Sequence, residues 1–107
     1  MDISVVIPVY NEKDTISHII DRVVQTGLIH EIAIVDDGST DGTRDVLEEL
    51  KKNPLVRVLL QEKNQGKGAA VRRGIENASK DVVIIQDADL EYDPRDYLAL
   101  LKPLEEG

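Results

Sequence analysis

The feature of this chain that most constrains its fold is a regular alternation of short apolar runs with segments of helical periodicity. Runs rich in β-branched residues stand at Ile3–Val9, Ile32–Val35, Val56–Leu60 and Val82–Ile85. Unalternating apolar runs of this length are typical of parallel strands that are buried on both faces. The alternation therefore predicts an α/β fold, with an open, mainly parallel sheet and helices on both faces.

The segments between these runs carry helix signals. Helices are predicted over about 15–24, over 43–52, from the 64–68 loop to about 78, and over 95–104. Asn11 is the predicted cap of the first helix, and Gly27 is its predicted stop. If the strand order reverses between the first and fourth strands, the first strand should lie centrally, between the second and the fourth, with the third strand outside the second and near an edge.

Composition narrows the classes of function. The 107 residues fit one domain, and the net charge of −8 argues against a patch for nucleic acid or for an anionic membrane, which would be basic. The chain has no cysteine, so it offers no thiolate nucleophile, thiolate metal site or disulfide. No apolar run approaches the length of a transmembrane helix.

Polar clusters follow three of the predicted strands at their carboxyl ends. They occupy residues 10–12, 36–37 and 87–91. Ligands of open α/β sheets bind beyond these ends, at the point where the strand order reverses. We therefore expect the three clusters to converge in one cleft, with the carboxylates of Asp37 and Asp89 facing the same groove.

The third cluster is strongly acidic. In an extended segment Asp87, Asp89 and Glu91 project on one side, and carboxylates so close together repel one another unless a cation lies among them. Mg²⁺ and Mn²⁺ prefer such oxygen ligands and leave positions open for phosphates. The alternative is a solvated acidic loop that leads into a helix, with Asp93 as its cap and Pro94 as its first residue. On these residues alone both interpretations stay open.

Lys67 lies near a predicted helix N-terminus, where its ammonium group would add positive charge for a phosphate. The alternative is a loop in which Gly66 and Gly68 serve backbone freedom alone. The stretch is not a P-loop, because Gln61 stands where that motif has its first glycine and Gly68 where it has Ser or Thr.

Four segments in order carry a resemblance to a known family: VVIPVYNE, IVDDGSTDGT, NQGKGAAVRRG and QDADLEYDP. Together they resemble the nucleotide-binding half of family 2 glycosyltransferases of the GT-A fold, closest to polyprenyl-phosphate synthases of the dolichol-phosphate mannose type. The resemblance implies an inverting transfer from a GDP- or UDP-sugar, with a polyprenyl phosphate as one implied acceptor. By the same resemblance, residues 1–107 would form the nucleotide-sugar part of a longer GT-A domain, in the cytoplasm or at the cytoplasmic face of a membrane.

The resemblance also implies roles for individual residues. A base and ribose pocket would be lined by Pro8, Tyr10, Glu12, Val35 and Asp37. Asp87 and Ala88 would lie against the nucleotide. Asp89 would be the strongest ligand of a Mg²⁺ or Mn²⁺ ion on the diphosphate, and Glu91 the second. On residue type alone, Tyr10 could equally be a partly buried aromatic and Asp37 a turn residue.

Two other functions remain as alternatives. One is a module that binds nucleotide without turnover. The other is a sugar-phosphate nucleotidylyltransferase, which shares α/β architecture but would need a glycine-rich, basic loop directly after the first strand. This chain has Tyr10, Asn11 and Glu12 there, so that function is the weaker alternative.

Overall fold

The computed structural model describes residues 2–86, in which strands and helices alternate as predicted. The elements are β1 (Ile3–Val9), α1 (Ile16–Gln25), β2 (Glu31–Asp36), α2 (Thr43–Leu50), β3 (Val56–Leu60), α3 (Lys67–Asn77) and β4 (Val82–Ile85). The acidic cluster that begins at Asp87 and the predicted helix over 95–104 lie outside the described residues.

The strands form a parallel sheet in the order β3-β2-β1-β4. This confirms the predicted order, with β1 and β2 in the middle and β3 at an edge. Both central strands are buried along their whole length, whereas β3 exposes Arg57 and Leu60. Double-sided burial of the middle strands is the physical reason for their unbroken apolar sequences.

Pro8 lies inside the central strand without interrupting it. Its Cα pairs with Val35 of β2, but the pairing of β1 with β4 ends at Val6, whose carbonyl accepts from Gln86 N–H at 2.9 Å. Residues two apart in a strand point their backbone groups to the same neighbour. The missing N–H of Pro8 therefore lies on the β4 side of β1, beyond the last residue pair of that ladder at Val6 and Ile85.

Helices cover both faces of the sheet, as predicted. On one face α1 and α2 enclose the main core, which includes Val5, Ile7, Val9, Ile16, Ile19, Ile20, Val23, Ile32, Ile34 and Leu47. On the other face α3 lies against Val6 and Val35, where a Cβ on Gly74 would overlap Val6 Cγ1 and lie 3.3 Å from Val35 Cγ2. The small residue at 74 is therefore what lets α3 approach β1 and β2 so closely.

The cap of α1 differs from the prediction, and α2 ends at Leu50, two residues before its predicted end. The first helix begins at Ile16, with Thr15 as its cap residue, so the prediction of Asn11 as the cap was wrong. Asn11 has a φ of 53°, and its side chain is engaged by the loop after β2. At the other end of α1, Gly27 has a φ of 69°, in the left-handed region expected of a helix stop.

Candidate functional site

The loops that follow β1 and β2 are joined at the carboxyl edge of the sheet. The N–H of Asn11 donates to Ser39 Oγ at 2.9 Å, and the N–H of Thr40 donates to Asn11 Oδ1 at 2.8 Å. This reciprocal pair explains the positive φ of Asn11, which asparagine tolerates better than most residues. Asn11 thus fixes one loop to the other.

Thr43, the first residue of α2, extends the same connection. Its Oγ1 accepts from Glu12 N–H at 3.0 Å and donates to Asp41 Oδ1, while its N–H donates to the same Asp41 oxygen at 2.9 Å. The hydroxyl of Thr43 is the main cause that lowers the pKa of Asp41. Glu12 turns its own carboxylate back to the cap residue of α1, accepting from Thr15 Oγ1 at 2.8 Å.

Asp36 ends β2 on the face of α1 and α2, and it is fully buried. Its Oδ2 accepts from Arg44 Nε at 2.7 Å and from Ser39 N–H at 3.2 Å. Its Oδ1 has no hydrogen-bond donor among residues 2–86. Arg44 also donates through Nη2 to the carbonyl of Gln61 at 2.6 Å, and so connects the ends of β2 and β3.

Asp37 turns to the opposite face, towards the N-terminus of α3, and is 4% exposed. Its Oδ1 accepts from Gln61 Nε2 at 2.9 Å and from Gln65 N–H at 2.7 Å. Its Oδ2 accepts from Gly66 N–H at 2.9 Å. A negative charge at this position complements the positive end of the helix macrodipole. Asp37 therefore fixes the loop before α3 as well as lying at the edge where a ligand is expected.

The structure brings several of the sequence-predicted pocket residues together. Pro8 and Val35 are paired neighbours on the face of α3, and Asp37 follows Val35 two residues later on the same side. Tyr10 comes directly after β1 and is 46% exposed, which leaves its ring available to a partner. The pocket roles of these residues remain predictions.

The other predicted residues divide between α3 and the stretch beyond residue 86. Lys67 is the first residue of α3, so its predicted place at a helix N-terminus is confirmed, although the N–H groups of residues 65 and 66 already donate to Asp37. Asp87, Ala88, Asp89 and Glu91 lie outside the described residues, and with them the predicted metal ligands. Within residues 2–86 no cluster of three or more acidic or histidine side chains is placed to hold a metal ion.

Sequence reasoning missed Arg44 and gave Gln61 no role in the site. Both residues stabilise the carboxyl edge of the sheet. The carbonyl of Gln61 accepts a hydrogen bond from Arg44, and the side-chain amide of Gln61 donates one to Asp37. Their partners lie between 8 and 24 residues away along the chain, so no local spacing marks them. The one available signal was Gln61 itself, a polar residue directly after an apolar strand.

Residues 4–107 match the sequence profile of glycosyl transferase family 2. The chain belongs to this family. The membership confirms the resemblance carried by the four motifs, and the motifs around Asn11 and Asp37 are the ones that build the described edge. Within residues 2–86 the longest helices fall short of the length and apolarity that a membrane span requires.

The chain is similar to part of a curated relative of known length. The dolichol-phosphate mannosyltransferase of Pyrococcus furiosus is 37% identical over 109 residues, which cover 100% of this chain and 31% of that protein. The chain therefore spans about a third of the length of this curated relative.

Two solved structures share the fold. The mannosyltransferase PcManGT of Pyrobaculum calidifontis, in complex with GDP-Man and Mn²⁺, is 29% identical with a TM-score of 0.79, covering 91% of this chain and 30% of that one. Glucosyl-3-phosphoglycerate synthase of Mycobacterium tuberculosis, in complex with Mn²⁺, UDP and phosphoglyceric acid, is 33% identical with a TM-score of 0.81, covering 99% and 39%. These likenesses confirm the α/β, GT-A type of architecture.

Proposed function

We propose that this chain is the nucleotide-sugar-binding part of an inverting glycosyltransferase that works in the cytoplasm or at the cytoplasmic face of a membrane. The donor is a nucleoside-diphosphate sugar, the cofactor is Mg²⁺ or Mn²⁺, and a polyprenyl phosphate is the acceptor class. The observation that carries the proposal is the joined edge itself: the loops after β1, β2 and β3 are hydrogen-bonded into one rim at the end of the sheet where such folds bind nucleotides.

The residues at this rim suit the parts of a nucleotide. Asp37 is held so that its carboxylate can accept from a base N–H or a ribose hydroxyl, and Tyr10 offers an exposed ring for stacking. Pro8 and Val35, paired neighbours that are buried in the sheet, would support the rim from below. The hydrogen bonds among these loops fix the rim, so less ordering cost falls on binding.

The diphosphate is proposed to bind through the acidic residues after β4. Asp89 and Glu91 would hold the metal ion, with Asp87 and Ala88 against the nucleotide and Lys67 near the phosphates. The ion would neutralise charge that develops on the leaving diphosphate. A polyprenyl phosphate acceptor is already an anion at neutral pH and needs little deprotonation, whereas a sugar hydroxyl would need a general base.

Calorimetric titration of nucleoside diphosphate with Mn²⁺ or with chelator tests this proposal. Wild type should bind much more tightly with Mn²⁺, and Asp89→Asn should lose most of that metal dependence while the fold stays intact. Asp81→Asn is the matched control, because Asp81 carries the same charge at the opposite end of β4 and is exposed. Equal affinity with and without Mn²⁺ in wild type contradicts the metal bridge.

The second candidate is a unit that binds the nucleotide without turnover. It is favoured by the described rim, whose side chains are suited to hydrogen bonding and stacking with a nucleotide. Sugar transfer to a polyprenyl phosphate and donor hydrolysis, measured alongside nucleotide binding, separate the two candidates. Binding with neither transfer nor hydrolysis supports the second.

A further inference from the structure

The acceptor capacity of Asp37 is largely used by the protein itself. An ionised carboxylate offers about four lone-pair sites, two on each oxygen. Oδ1 already accepts two hydrogen bonds, from Gln61 Nε2 and from Gln65 N–H, and Oδ2 accepts one, from Gly66 N–H. Within the described part of the chain, one acceptor site therefore remains, and it is on Oδ2.

The nucleobases differ in how they would use that site. The Watson–Crick edge of uracil presents a single N–H between two carbonyls. Guanine presents two adjacent N–H donors, which match both oxygens of a carboxylate in a bidentate pair. With Oδ1 already saturated, guanine would make one bond to Oδ2 and leave its second donor facing the amide groups of Gln61 and Gln65, which are donors too.

Gln61 cannot easily move aside to release Oδ1. It is 5% exposed, its N–H donates to the Asp36 carbonyl at 2.9 Å, and its own carbonyl accepts from Arg44 Nη2 at 2.6 Å. Its side-chain amide must present the NH₂ group to Asp37, because an ionised carboxylate only accepts hydrogen bonds. The amide is thus a fixed donor that occupies one oxygen of Asp37.

We propose that Gln61 is a specificity-determining residue that makes the base pocket select uracil over guanine, so that the donor is a UDP-sugar. The inference rests on the proposed function, since it assigns a base to the nucleotide site. Gln61 acts through Asp37 and does so by filling the acceptor position that guanine requires.

The test is calorimetric titration of UDP and of GDP, each with Mn²⁺, into wild type and Gln61→Met. Wild type should bind UDP at least about 10-fold more tightly than GDP, which corresponds to one hydrogen bond to a charged group. Methionine keeps the length of the side chain and removes the donor, so the ratio of the affinity for UDP to the affinity for GDP should fall towards one. Because the ratio compares two ligands on the same protein, a general loss of stability cancels.

Gln65→Ala is the matched control. Gln65 reaches Asp37 through its backbone N–H, so removing its exposed amide should leave the preference for UDP unchanged. If wild type binds GDP as tightly as UDP or more tightly, the inference about Gln61 fails while the proposed function stands. The same holds if Gln61→Met keeps the wild-type ratio of UDP to GDP affinity. Failure of wild type to bind either nucleotide overturns the proposed function together with the inference.

Discussion

The two ends of β2 each carry a buried carboxylate, and the two differ in how far the protein satisfies them. At the amino end, Glu31 accepts from Ser4 Oγ and Ser79 N–H through Oε1, and from Ser79 Oγ through Oε2, with Arg57 3.5 Å away. At the carboxyl end, Asp36 Oδ1 has no donor among the described residues. Both carboxylate oxygens of Glu31 therefore have hydrogen-bond donors, whereas one oxygen of Asp36 has none among the described residues.

The difference separates a cluster that stabilises the fold from the rim that we propose binds a nucleotide. Burial raises the pKa of Glu31, but the hydrogen bonds from Ser79 and Ser4 and the charge of Arg57 outweigh it, so the pKa lies below its usual value. Such a group contributes to the stability of the fold. The rim at the other end holds its carboxylates just as firmly but keeps acceptor sites unfilled.

The largest effect on the free energy of unfolding is expected from Glu31→Gln. The new NH₂ group would replace an acceptor that faces Ser79 Oγ and Arg57, so the free energy of unfolding should fall by about 2 kcal/mol. Chemical denaturation measures it. Glu48→Gln is the control, because its ion pair with Lys51 is solvent-exposed and should contribute less than about 1 kcal/mol. Equal losses in both variants would contradict the structural role of Glu31.

A second variant, Gly74→Ala, tests the support of Asp37 independently of Asp36, because α3 holds Asp37 and α2 holds Asp36. The added methyl group overlaps Val6, so α3 must shift, at a cost of about 1–2 kcal/mol. The shift should also weaken nucleotide binding, because the loop that opens α3 supplies the N–H donors that hold Asp37. Gly68→Ala lies in the same helix with open space around it and should be neutral or slightly stabilising. A neutral Gly74→Ala would show that α3 is not closely packed.

Asp36→Asn should cost less than Glu31→Gln, below about 1 kcal/mol. The asparagine oxygen can keep the bonds from Arg44 and Ser39, and its NH₂ group would take the place of an oxygen that now lacks a donor. Arg44 is partly exposed and can be solvated. Denaturation of both variants under the same conditions gives the order, and a reversed order would break the comparison between the two ends.

The smallest effect is the dependence of stability on pH. Because the folded-state pKa of Glu31 lies below the unfolded value near 4.5, its contribution is fully present above that value and is lost as pH falls through the folded pKa. The difference in unfolding free energy between wild type and Glu31→Gln should therefore be constant near neutral pH and shrink in acid. A difference that grows as the pH falls from 5 to 3 has the wrong sign for this account.

The sequence was sufficient for the frame of the fold because the relevant signals are local. The bounds of β1, β3 and β4 were predicted as observed, and the strand order was predicted from a switch point between the first and fourth strands. The cap of α1 was predicted wrongly because Asn11 has two possible uses, as a helix cap or as a bridge to another loop. Ser39 and Thr40, which decide between them, are 28 and 29 residues away.

The sequence allowed us to predict which residues lie at the candidate site but not the hydrogen bonds that hold them. Tyr10 and Asp37 belong to the polar clusters predicted after apolar strands, and the structure puts them at the expected edge, whereas their pocket roles rest on the family resemblance. The sequence did not show that Gln61 and the loop before α3 hold Asp37. Those contacts depend on the three-dimensional course of the loops after β2 and β3. Spatial neighbours of this kind are set by topology rather than by spacing.

The measurement that tests the central claim most directly is UDP titration, with Mn²⁺, into wild type, Asp37→Asn and Glu31→Gln, each confirmed as folded by circular dichroism. Asn at position 37 puts a donor where a base N–H needs an acceptor, so affinity should fall by at least about 10-fold. Glu31→Gln lowers stability at the far end of the same strand and should leave affinity within about 2-fold of wild type. Wild-type affinity in Asp37→Asn, or an equal loss in Glu31→Gln, would contradict a nucleotide site at the carboxyl edge.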